Sequence, residues 1–124
     1  MIQIVKDSDT RPWFFLQTAH TTYGMWVMET GHLEHLYYGE RITVDSQDPS
    51  SCTPLVIQRA FAPGNTCTYD REHPQISMED VCLEVGTLGR GDIREPFLEV
   101  KFTDGSVTSD FTFDSYEVIT LKER

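Results

Sequence analysis

Residues 97–107 read FLEVKFTDGSV. Apolar and polar side chains alternate through residues 97–102, which is typical of a β-strand with one buried face. An Asp-Gly pair follows at 104–105, and Asp-Gly between alternating runs is a strong hairpin signal. The stretch therefore predicts a β-hairpin, and residues 107–113 and 116–121 continue the pattern as the next strands.

The N-terminal half carries the same pattern in short runs. Strands are predicted at residues 2–6, 13–18, 23–28 and 32–38, and a tight turn at Thr30-Gly31 joins the last two. The run 23–28 is apolar on both faces, which indicates a strand between two packed layers. Gly39 is expected to end the strand that precedes it.

The middle of the chain is less regular. Residues 41–44 and 55–57 predict short strands, 45–54 a polar loop, and 62–75 a long irregular excursion. The only helix candidate is 77–85, which begins with a sequence that resembles a capping box. We therefore predict an all-β fold, an antiparallel β-sandwich with at most one short helix.

Size and charge narrow the class of protein. A chain of 124 residues is large enough for one domain and too small for two, so residues 1–124 are expected to form a single domain. The formal net charge is −10, which repels phosphate backbones and anionic lipid surfaces. No window of about 18 apolar residues is present to span a membrane. We expect neither nucleic acid nor membrane as a partner.

The first ten residues lack the apolar core of a signal peptide, so a cytoplasmic location is expected. The three cysteines form no Cys-x-x-Cys pair, and their odd number does not suit a disulfide framework. They are predicted to be reduced thiols.

No catalytic or metal motif is apparent. His32 and His35 are three residues apart on a predicted strand and point to opposite faces, so they cannot share one ion. The sequence has no nucleophile elbow, phosphate-binding loop or dinucleotide fingerprint. Most carboxylates fall at turns or on polar strand faces. No metal and no cofactor is expected.

Aromatic residues give a weak hint of sugar binding. Trp13, Trp26, Tyr37 and Tyr38 could stack on pyranose rings, although core packing is the commoner role for such residues on strands.

Three stretches in order resemble one known family, glycoside hydrolase family 36, the α-galactosidases. They are residues 22–42 (TYGMWVMETGHLEHLYYGERI), 59–63 (RAFAP) and 84–97 (EVGTLGRGDIREPF). The chain departs from the family pattern at Glu40, where Lys is usual, and at Leu88, where an aromatic residue is common.

The resemblance implies the N-terminal β-supersandwich domain of such an enzyme. The catalytic aspartates of the family lie on a (β/α)₈ barrel, which needs about 250 residues, so no residue of this chain inherits a catalytic role. The chain alone is expected to be inactive, and the rest of its own polypeptide is expected to be its main partner. Hydrolysis of α-galactosides such as melibiose and raffinose would belong to the full-length enzyme.

The resemblance also implies a homo-oligomer, in which a loop of this domain approaches a neighbouring subunit's substrate pocket. Phe61 and Arg71 are the residues expected to reach the sugar there. Asp92 and Arg94 are expected to be structural, fixing the turn before Pro96.

Two other hypotheses remain open from the residues alone. One is a stand-alone carbohydrate-binding module that uses an aromatic patch. The other is a small adaptor sandwich with no role in sugar binding.

Overall fold

A computed structural model describes residues 1–6, 11–59, 68–89 and 94–121. Four strands form one antiparallel sheet in the order of the chain, β1 (Ile2–Lys6), β2 (Pro12–Gln17), β3 (Thr21–Val27) and β4 (Leu33–Glu40). The all-β prediction is confirmed, and so are the four N-terminal strands. Gly39 does not end its strand, because it pairs with Thr22 inside β4.

The turn between β3 and β4 is where the sequence predicted it. The Gly31 N–H donates to the Met28 carbonyl (2.9 Å), and Met28 N–H donates to the His32 carbonyl (2.8 Å). Gly31 has a φ of 90°, a left-handed conformation that a side chain would strain. The Thr30-Gly31 pair therefore fixes the register of this hairpin.

A β-bulge interrupts the β3–β4 ladder. Gly24 pairs with Tyr37 while Met25 pairs with His35, so Leu36 is an extra residue on β4. Phe15 fills the space above Gly24, and a Cβ atom on Gly24 would lie 3.0 Å from the Phe15 ring. A glycine is needed here because a side chain would displace that ring.

One face of the sheet, here called the closed face, carries the main core. Val5, Trp13 and Phe15 are buried on it, with Trp13 stacked on Trp26 at a centroid distance of 4.8 Å. The segment 42–56 covers this face and contributes buried Val44 and Cys52.

Three side-chain bonds tie the covering segment to the sheet. The Gln3 and Gln17 amides donate to the carbonyls of Val44 (2.6 Å) and Ile42 (3.2 Å). The Ile42 N–H in turn donates to Thr22 Oγ1 (3.0 Å). These bonds satisfy backbone groups that lack ladder partners, so residues 41–44 cover the sheet without forming the predicted strand.

The predicted loop 45–54 contains a short 3₁₀ helix, Pro49–Leu55. Asp48 caps it by accepting from the Ser50 N–H (3.1 Å), and a proline stands in its first turn. Leu55 ends this helix, so the strand predicted at 55–57 is wrong.

The predicted helix 77–85 is reduced to one 3₁₀ turn, Met78–Asp80, with Ser77 before it. Met78 and Val81 are buried there with Met28 and Ile76 in a second apolar cluster. Among the residues that the structure describes, no helix is long and apolar enough to cross a membrane.

The C-terminal third differs most from prediction. The Asp-Gly turn is present, since Phe102 N–H donates to the Ser106 carbonyl (2.9 Å) and Gly105 has a φ of 91°. The strands predicted at 97–102, 107–113 and 116–121 are wrong as regular elements, because none of them forms a ladder. Alternation marks faces, but a strand also needs a continuous ladder of paired residues, and the described residues form only isolated contacts here, such as the bridge between Leu98 and Thr87.

The second face of the sheet, here called the open face, is only partly covered. Phe14 contacts Phe113 and Tyr116 at centroid distances of 6.0 and 5.1 Å. The sandwich prediction requires a second sheet on this face. The structure instead has irregular chain there, around Phe113 and Tyr116. Leu16 and Ile2 on this face remain substantially exposed.

Candidate functional site

The structure describes two of the four predicted site residues. Phe61 and Asp92 lie outside the described residues. Arg71 is exposed on the turn 70–73, in which Asp70 Oδ1 accepts from the N–H (2.7 Å) and Nδ1 (2.8 Å) of His73. This local pairing orders the turn and leaves the Arg71 side chain in solvent.

Arg94 binds the backbone of the second apolar cluster. Its Nη2 donates to the carbonyls of Met78 (2.7 Å) and Val81 (2.6 Å). The Arg94 guanidinium thus satisfies two carbonyls at the 3₁₀ turn. These bonds connect the segment that begins at residue 94 to that turn.

A buried ion pair lies at the edge of the closed face. Glu34 is 2% exposed, and its carboxylate accepts from Trp26 Nε1 (2.8 Å) and from Arg59 Nη2. Sequence reasoning missed this pair because its members are 25 residues apart. The available signal was Glu34 itself, an acidic residue inside a predicted strand.

A second polar network surrounds the buried side chain of His32. Its Nδ1 lies 2.7 Å from Thr30 Oγ1, and its Nε2 lies 2.6 Å from Asp110 Oδ1. Asp110 also accepts from the Tyr69 hydroxyl. The network joins the β3–β4 turn to two distant segments of the chain.

A third network lies on the open face. The Tyr23 hydroxyl donates to the carboxylate of Glu84 (2.6 and 2.7 Å), and His35 Nδ1 lies 3.4 Å from the same carboxylate. Burial and the hydrogen bond to Glu84 raise the pKa of Tyr23 to about 12.

The carboxylates of these three networks have structural roles. Glu34, Glu84 and Asp110 each accept hydrogen bonds from aromatic or basic side chains, whereas glycoside hydrolysis requires two carboxylates free to act on a bound sugar. In the described parts of the chain, no three His, Cys, Asp or Glu side chains have metal-binding geometry.

The candidate functional surface is an apolar groove of about 320 Å³ on the open face. Its floor is formed by Ile2, Phe14, Leu16 and Met25, and its wall by residues 113–118. Exposed apolar surface of this kind marks an interaction site. Other apolar side chains of residues 97–121 are also exposed, including Phe97 (79% exposed) and Leu121 (84% exposed).

Comparison with known proteins identifies what the chain resembles. A family model described as the glycosyl hydrolase family 36 N-terminal domain matches residues 31–124. The bifunctional α-galactosidase/sucrose kinase AgaSK of Mediterraneibacter gnavus is 39% identical over 113 residues, which is 90% of this chain and 11% of AgaSK.

Solved structures agree with this. The α-galactosidase from Lactobacillus brevis superposes with a TM-score of 0.72 at 28% identity over 91% of this chain. The galactosidase domain of AgaSK superposes with a TM-score of 0.69 at 30% identity over 92% of this chain. The chain spans only 14% and 15% of these two structures.

Proposed function

Because the chain belongs to glycosyl hydrolase family 36 and matches its N-terminal domain, we propose that it is the non-catalytic N-terminal domain of an α-galactosidase. The open-face groove is the observation that carries this proposal, since an isolated sheet gains nothing by leaving Ile2, Leu16 and Val118 in water. The rest of the same polypeptide, including a catalytic barrel, is the partner that covers it. Hydrolysis of α-galactosides such as melibiose and raffinose belongs to that longer protein.

The test uses one substitution in two contexts. In the 124-residue chain Leu16 is 39% exposed, so Leu16→Glu should lower the free energy of unfolding by only about 1–2 kcal/mol, the value of its partial burial. In the longer polypeptide the same change places a charge in a covered interface, which costs several kcal/mol unless the charge is paired. We expect loss of α-galactosidase activity or of thermal stability there. Leu16→Met is the matched control and should be neutral in both.

Two outcomes would contradict the proposal. One is hydrolysis of a nitrophenyl α-galactoside by the purified 124-residue chain above a mock preparation. The other is a longer polypeptide whose activity and melting temperature are unaffected by Leu16→Glu.

We further propose a homo-oligomer in which Phe61 and Arg71 approach a neighbouring subunit's substrate pocket. The exposure of Arg71 on an ordered turn supports this role, since its five donors are available to sugar hydroxyls. In the longer enzyme, Phe61→Ala and Arg71→Ala should change KM or the preference between melibiose and raffinose more than the melting temperature. Lys101→Ala, at another exposed cation, is the control. Unchanged kinetics in both variants would argue against the role.

The same proposal includes a cytoplasmic location. The free thiols of Cys52 and Cys82 suit a reducing compartment. Cell fractionation of the native source would test the location.

A further inference from the structure

A second cleft, which the proposed function does not use, opens beside Trp26. Its volume is about 220 Å³. It lies where the end of β3 meets the segments 56–59 and 75–76. Neither Arg71 nor the open-face groove contributes to it.

The cleft has walls of two kinds. Met28, Val56, Ile57 and Ile76 form an apolar side. The other lining side chains, apart from Trp26, are polar and are Arg11, Glu29, Arg59 and Gln75. Such a division suits a ligand with one apolar face and a polar edge.

The polar side chains are already held in place. Gln75 Nε2 donates to Glu29 Oε1 (2.5 Å). The Arg11 guanidinium lies 5.8 Å from the centroid of the Trp26 ring. Side chains fixed in this way lose little conformational entropy when a ligand binds.

The charges in the cleft cancel. Arg59 is neutralised by buried Glu34, and Arg11 is balanced by Glu29. In a chain of net charge −10, this region therefore attracts neither anions nor cations strongly. The balance favours a neutral ligand that is recognised by hydrogen bonds.

One lining side chain also carries a donor that is buried away from the cleft. Arg59 Nε is buried and has no hydrogen-bond partner in the part of the chain that the structure describes. An atom this inaccessible is not reached from the open cleft, so the hydroxyl groups of a ligand have to bond to the other polar side chains of the lining.

We propose that this cleft binds a single neutral pyranose ring. The C–H face of the sugar lies against the apolar side, and its hydroxyl groups bond to Arg11, Gln75 and Glu29. The choice of a galactoside as the first probe rests on the proposed function, whereas the pyranose class rests on the cleft alone.

The test is an amide and side-chain chemical-shift titration of the full 124-residue chain with methyl α-galactopyranoside. A site for one ring should have a Kd on the order of 1 mM. We expect saturable shifts of Trp26 Nε1–H and of the Gln75 side-chain amide. The double variant Arg11→Gln with Gln75→Ala should bind at least about tenfold more weakly, as expected from the loss of two ligand hydrogen bonds. The matched control is Gln47→Ala, at an exposed glutamine outside the cleft.

The possible outcomes divide clearly. The proposal is overturned if no shifts appear at about 50 mM sugar, well above millimolar affinity, if they map to the open face, or if the double variant binds normally. It is also overturned if sodium acetate produces the same shifts, which would indicate an anion site. If methyl α-glucopyranoside binds and methyl α-galactopyranoside does not, the pyranose site is supported and the galactoside is excluded as its ligand. Absence of α-galactosidase activity in the longer polypeptide would contradict the proposed function. It would not change the result expected from this titration.

Discussion

His32 Nε2 lies 2.6 Å from Asp110 Oδ1, across 78 residues of chain. The bond joins the turn of the central hairpin to a C-terminal segment that has no strand ladder of its own. Side-chain bonds of this kind, together with isolated backbone bonds such as that from the Phe113 N–H to the Gly31 carbonyl (2.7 Å), hold residues 97–121 near the sheet.

The first prediction concerns this bond. Asp110→Ala should lower the free energy of unfolding by about 1–3 kcal/mol, because it leaves Nε2 of the buried His32 ring without its Asp110 partner. A double-mutant cycle with His32→Ala should give a coupling energy of about 0.5–3 kcal/mol in urea unfolding. Asp114→Ala, at an exposed carboxylate in the same segment, is the control. Additive losses from the two substitutions would contradict the predicted coupling.

The second prediction concerns the glycine under Phe15. Gly24→Ala should destabilise the chain by about 1–3 kcal/mol, because the new Cβ meets the Phe15 ring at 3.0 Å. Gly86→Ala is the control, since nothing lies within 4 Å of its Cβ position, and it should be neutral or stabilising by about 0.4–1 kcal/mol. The comparison requires melting or denaturant curves for the two variants. Equal stability of the two would mean that the ring moves aside freely.

The third prediction concerns the buried ion pair. Arg59→Ala should cost about 3–5 kcal/mol, because the Glu34 carboxylate stays buried and, among the described side chains, keeps the Trp26 indole as its one donor. Adding Glu34→Gln to Arg59→Ala should restore part of the loss, since no charge then remains buried. Chemical unfolding of the single and double variants measures both effects. A double variant less stable than Arg59→Ala would rule out this explanation.

The fourth prediction concerns alkaline pH. Burial and the Glu84 carboxylate raise the pKa of Tyr23 from 10.0 to about 12, so the folded state favours the neutral phenol. Its contribution to stability is complete below pH 10 and is lost as the pH rises from 10 to about 12. Unfolding free energies measured across this range should fall less steeply in Tyr23→Phe than in the parent chain. Parallel pH profiles would show that Tyr23 titrates normally.

The fifth prediction concerns the thiols. Burial raises the pKa of Cys52, whereas Cys82 is exposed. In a Cys67→Ser background, iodoacetamide should modify Cys82 at the rate of a free thiol. Cys52 should react at least about a hundredfold more slowly, the factor set by a local opening of roughly 3 kcal/mol. Mass spectrometry of timed samples gives both rates, and urea should remove the difference.

The alternating pattern predicted the sheet correctly in the N-terminal half. There each run has a neighbouring run within a few residues, so local signals also specify the pairing. The same alternation at 97–102 and 116–121 did not produce strands, because a ladder depends on a neighbour that periodicity does not reveal.

The polar sites were less predictable for a related reason. Glu34 contacts Arg59, and His32 contacts Asp110, only after the chain has folded. No rule of sequence spacing predicts either pair. Phe61 and Arg71 were predicted as site residues from the resemblance to the family. The sequence pattern without that resemblance would not have identified them. The cleft beside Trp26 is formed by four separate segments of the chain, so only the tryptophan itself could be identified from the sequence.

The open face has a consequence for synthesis of the longer polypeptide. An N-terminal domain leaves the ribosome before the rest, and translation proceeds at about 5–20 residues per second. A chain of the length of the relatives would keep the groove formed by Ile2, Phe14 and Leu16 uncovered for on the order of a minute. During that interval the nascent domain would expose an apolar surface. Chaperones that bind apolar segments would then compete with self-association of nascent chains through this surface.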